Sequence, residues 1–78
     1  MKACVLIKVT PGKHNEVVSA MKRLGGVNIV FSTLGRQDVV AHVEAADARQ
    51  LALLTSQIQA LPQVRGTETL VGVEVWSE

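Results

Sequence analysis

Cysteine is nearly missing from this chain, aromatics are scarce, and neither sign of charge dominates. The lone Cys4 excludes an internal disulfide framework and cannot by itself complete a zinc site. A reducing compartment fits that usage. The only aromatics are Phe31 and Trp76, so the ring platform on which some small sheets stack RNA bases is absent. Eight Lys plus Arg stand against seven Asp plus Glu, a net charge of +1. The charges are dispersed, which leaves neither a nucleic-acid footprint nor a membrane-surface patch. Long apolar runs are missing too: MKACVLIKV meets Thr10-Pro11-Gly12 before it reaches the length of a signal-peptide core or a membrane span. These absences predict a soluble, cytoplasmic protein whose partners include neither a membrane nor, directly, a nucleic acid.

What the chain has is aliphatic surface. Of its 78 residues 47% are hydrophobic, enough for one small domain, residues 1–78, and more than a small monomer ordinarily needs. Residues 2–9, KACVLIKV, are apolar and β-branched and end at a Pro-Gly turn, the pattern of a strand. From Lys13 to Leu24, Val17, Ala20, Met21 and Leu24 recur at helical spacing, and Gly25-Gly26 closes the segment. VNIVFST at 27–33 and DVVAHVEA at 38–45 predict two strands joined as a hairpin, with Val27, Ile29 and Phe31 on one side of the first. Asp47, with Gln50 three residues on, predicts the capped start of a second helix whose Leu51, Leu54, Ile58 and Leu61 share a face until Pro62. Residues 66–76 alternate Thr67, Thr69, Val71, Val73 and Val75 against Glu68, Leu70, Gly72, Glu74 and Trp76, a last strand. The order βαββαβ predicts an α+β, ferredoxin-like fold: an antiparallel sheet with both helices on one face.

That sheet is apolar front and back. Ala3, Val5, Ile7 and Val9 point one way and Cys4 and Leu6 the other, while Val30 opposes its neighbours in the second strand. Two helices cover one face only, and each aliphatic side chain left in water forgoes about 1.5–3 kcal/mol of burial. A second copy of the same sheet is the simplest cover, because a two-fold pair needs one self-complementary patch. Val18 and Leu53 are surplus apolar positions on the helices that point to further contacts.

Several quoted stretches carry a family likeness: VLIKVTPGK at 5–13, LGGV at 24–27, TLGRQDVVAHVEA at 33–45 and IQALPQVRGTETLV at 58–71. With these, the chain resembles the effector-binding domain of the Lrp/AsnC transcriptional regulators, also called RAM, over essentially its whole length. The family's Gly followed three residues later by Asp falls on Gly35 and Asp38, and its Thr-x-Thr on Thr67 and Thr69. The resemblance implies a sheet-paired homodimer, assembly of dimers into an octameric or decameric ring, and a small amino-acid effector held between dimers with no cofactor. Full-length regulators carry an N-terminal helix-turn-helix. This chain opens at its first strand with Met1 directly before it, which resembles the stand-alone form. Such a domain also has full-length Lrp/AsnC regulators as possible ring partners. One departure bears on ligand identity: Gln37 stands where an aromatic commonly precedes the family's Asp.

Each candidate residue has a plain structural role beside the functional one. Gly35 suits a hairpin turn, where positive φ costs glycine little. Asp38 suits a loop that needs an acceptor, and Thr is an ordinary strand former. In the functional reading, Asp38 and the hydroxyls of Thr67 and Thr69 receive an ammonium, while a loop amide near Gly35 and the Arg36 guanidinium receive a carboxylate. His14 reads as a solvated residue of the first helical turn, Cys4 as a small buried hydrophobe, Lys22-Arg23 as helix surface, and Trp76 as an anchor at an interface or sheet end. The alternative function is a cofactor-free dimeric α+β-barrel enzyme with His42 as general base and Glu44 orienting it. It lacks a nucleophile and a polar pocket set.

Overall fold

A computed structural model describes residues 1–73 of the chain. Its elements follow the expected order: β1 Lys2–Val9, α1 His14–Met21, β2 Val27–Ser32, β3 Val39–Glu44, α2 Ala48–Gln59 and β4 Val64–Val71. The strands form one antiparallel sheet in the order β2-β3-β1-β4, the ferredoxin-like arrangement. The expectations for Val75 and Trp76 lie outside the described residues.

The alternation read from β1 is the alternation that folds. Ala3, Val5, Ile7 and Val9 are buried, and across the ladder so are Val39, Ala41 and Val43. Helix α1 adds Val17 and Met21 to that layer, and α2 adds Leu51, Leu54 and Ile58. These residues form one core between the helices and one face of the sheet. Val18, read from sequence as surplus, packs against the core, whereas Leu53 is exposed.

Three local features differ from the sequence expectation. The first is in β2, where the register against β3 shifts between Val27 and Ile29. Val27 then pairs with buried Val43 and Val30 with buried Ala41, while Ile29 and Phe31 pair with His42 and Val40 on the opposite face. Val27 is therefore separated from Ile29 and Phe31, because a bulge resets the two-residue period. The second is α1, which stops at Met21 rather than Leu24. Its last turn tightens, with Arg23 N donating to Ala20 O at 3.2 Å and Leu24 N to Met21 O at 3.0 Å. The third is β4, which begins at Val64 rather than Gly66 and ends at Val71, so that Gly72 and Val73 lie beyond it; a second register shift sets Gly66 opposite Lys8 and Val64 opposite Val9, which makes Arg65 the extra residue.

Local chemistry explains the boundaries. Asp47 caps α2 by accepting from Gln50 N at 2.9 Å. Gly26 turns the chain from α1 into β2 at φ +94°, and an added Cβ would lie 2.8 Å from the Glu44 carbonyl oxygen. Only glycine fits there.

This packing sets the cost of two substitutions. Ile58→Ala, at a fully buried site, should cost about 2–5 kcal/mol. Gly26→Ala should cost at least about 1 kcal/mol through strain and backbone contact. Urea unfolding of each variant checks both values.

Candidate functional site

The segment between β2 and β3 is closed as a hairpin before it is anything else. Thr33 N donates to Asp38 O at 2.9 Å, and the Thr33 hydroxyl donates to Gln37 O at 2.8 Å. Gly35 sits at its tip with φ +130° and open space around it, so it meets the conformational need that sequence assigns to it.

Asp38 does more than close a turn. Its Oδ2 accepts from Val9 N at 2.9 Å, and its own N–H donates to Ile7 O at 3.0 Å. The carboxylate thereby ties the start of β3 to the end of β1. Its Oδ1 lies 3.6 Å from His14 Nε2 at the first residue of α1. His14 lies in the first helical turn as expected and is still 34% exposed, but it also stands beside the Asp38 carboxylate. The signal was weak in sequence, since the two are far apart along the chain and meet only through the fold.

The Val9 amide is the main reason the Asp38 carboxyl is held below its ordinary value of 3.8; the positive charges of Lys8 and of His14 add to it, and partial desolvation opposes. A carboxyl with a depressed folded pKa stabilises the fold above its unfolded pKa, and that contribution fades as pH falls through the folded value.

Beside Asp38 is an open cleft of about 550 Å³. Lys8, Val9, Pro11 and Gly12 line it from the end of β1 and the following turn, His14 and Asp38 from one flank, and Arg65 and Gly66 from β4. Its volume lies in the range of small-molecule sites, about 300–1,000 Å³. A second depression, about 280 Å³, shares Arg65 and Gly66 and includes Thr67 and Gln59. The Thr67 hydroxyl there accepts from Gln59 Nε2 at 3.0 Å.

The five residues singled out by sequence are distributed as follows. Asp38 and Thr67 both flank Ile7 of β1, at the same end of the sheet. Thr69 pairs with Val5, further along β4. Gly35, Arg36 and Thr69 line neither depression. Lys8 and Arg65, which the sequence did not single out, and His14, which it assigned to solvent, line the cleft.

On the open face of the sheet, His42 Nδ1 lies 3.5 Å from Asn28 Nδ2, and the same Asn28 amide donates to Glu44 Oε1 at 3.3 Å. Asn28 therefore stands between the histidine and the carboxylate once read as its orienter. Among the described residues no group of His, Cys, Asp and Glu gathers to hold a metal ion, and no helix is long and apolar enough to cross a membrane.

A small α+β domain with a ligand-sized cleft at one end of its sheet is the class of protein these features define. The Lrp/AsnC ligand binding domain matches residues 2–78, and the chain belongs to that family. The HTH-type transcriptional regulator FL11 of Pyrococcus horikoshii is 30% identical over 78 residues, all of this chain and 52% of that protein. Its counterpart in Pyrococcus abyssi is 31% identical over the same span. The chain thus spans about half the length of the curated relatives it matches. Among solved structures, TTHA0845 from Thermus thermophilus superposes with a TM-score of 0.91 at 31% identity, over 99% of this chain and 98% of that one. E. coli AsnC superposes at 0.86 with 18% identity, over 95% of this chain and 51% of that one, a likeness of fold.

Asp38→Asn should lower stability at neutral pH, and the gap from wild type should close as the pH falls below 3.8. Urea titrations from neutral to strongly acidic pH check this; a gap that stays constant contradicts the assigned role of the charge.

Proposed function

We propose that the chain is a non-catalytic module for effector binding and assembly, which holds a small amino acid between copies of itself in the cytoplasm. The observation that carries this reading is the open face of the sheet. Cys4, Leu6 and Val40 are only half-covered there, and Ile29, Phe31 and Leu70 are exposed. A second copy laid on that face removes these side chains from water at about 1.5–3 kcal/mol for each one fully buried, and a two-fold pairing needs no other partner.

Pairs then join into a ring, an octamer or a decamer, and the effector sits where pairs meet. In this reading Asp38, Thr67 and Thr69 receive the ammonium, and the Gly35 loop and Arg36 receive the carboxylate. Membership of the ligand-binding family supports the effector. The kinship with transcriptional regulators supports a role in transcription exercised through full-length Lrp/AsnC regulators in mixed rings, without direct contact to DNA. The same kinship favours a binding role over an enzyme built on His42.

Val40→Lys, which sets a charge in the middle of the open face, should convert the assembly to folded monomers, read by sedimentation velocity with circular dichroism as the control for folding. Titration calorimetry of the wild-type assembly against a panel of amino acids should give saturable heat with at least one of them. An intact assembly that gives none overturns the effector role and leaves a structural one.

A further inference from the structure

The cleft beside Asp38 has a charge balance of its own. Lys8, Arg65 and His14 are its basic residues, and Asp38 is the one carboxylate on its wall. That carboxylate is already engaged on both oxygens, by the Val9 amide and by His14. Lys8 and Arg65, in contrast, form no ion pair among the described residues.

Arg65 reaches this position through the backbone. The register shift opposite Lys8 and Val9 leaves it as the unpaired residue of β4, and such bulges re-aim a side chain at the margin of a sheet. Gly66 beside it has open space where a side chain would stand, which keeps that wall of the cleft unobstructed. A concave site whose cations outnumber its one carboxylate attracts a ligand carrying more negative than positive charge.

We infer that the effector is an acidic amino acid, aspartate or glutamate, whose second carboxylate is held by Lys8 and Arg65 in the cleft beside Asp38. The inference rests on the effector reading above and refines it. The outer lone pairs of Asp38 remain for the ammonium, the Gly35 loop and Arg36 keep the first carboxylate, and Lys8 and Arg65 take the second. Asparagine and glutamine have the same shape without the second charge, so they isolate its contribution.

Titration calorimetry of the wild-type assembly with aspartate, glutamate, asparagine, glutamine, leucine and lysine tests the inference. The acid is expected to bind about tenfold or more tightly than its own amide, the ratio for one hydrogen bond between charged groups. Arg65→Gln and Lys8→Gln, both at exposed positions, should each shrink that ratio toward one. Equal affinity for an acid and its amide, or a preference that survives in both variants, overturns the inference. Saturable binding of leucine or lysine without binding of either acid overturns it too and leaves the effector reading standing. Silence across the whole panel removes both.

Discussion

The constraint on which this fold depends is a sheet that is apolar on both faces with helices for only one. On the covered side the alternation of β1 and β3 meets Val17, Met21, Leu51, Leu54 and Ile58, and the result is a single small core. On the other side the same strands present Cys4, Leu6 and Val40, with Leu70 from β4 and Ile29 and Phe31 from the β2 edge. A domain of this size gains little stability beyond its one core. Leaving a second apolar layer in water works against it, which is the physical reason for proposing that the face is shared between copies.

The chemistry collects at one end of that sheet. Asp38 ties the end of β1 to the start of β3 and reaches the first residue of α1, so three elements meet at a single carboxylate. Across β1, the bulge in β4 sets Arg65 at the same end. The hairpin that carries Gly35 and Arg36 leads directly into Asp38, and Gly35 has open space around it. In the proposed assembly, a neighbouring copy is what completes the binding site at this polar corner.

Much of this was legible in the sequence, because it depends on periods that a strand or a helix imposes on its own residues. The two faces of β1, the Asp47 cap of α2 and the hairpin at Gly35 are of that kind. The Gly-x-x-Asp and Thr-x-Thr spacings also led directly to the family. What the sequence hid depends on partners distant in the chain. The shift at Val27 and Ile29 follows from pairing with β3, so it moves Ile29 and Phe31 to the open face without any local mark. His14 meets Asp38 only after α1 has folded back, and Arg65 enters the cleft only because β1 and β4 pair out of step. The shortened α1 reflects a tightened last turn that no residue type announces.

Cys4 lies near the middle of the open face, opposite His42 and Leu70, and it is the only thiol in the chain. The most direct test of the central claim is the rate at which a bulky thiol reagent modifies it in the native protein. If two copies share this face, the thiol is shielded and reacts many times more slowly than in urea-unfolded chain. A native rate equal to that of the unfolded chain contradicts the account, for it would mean that the face stands open to solvent.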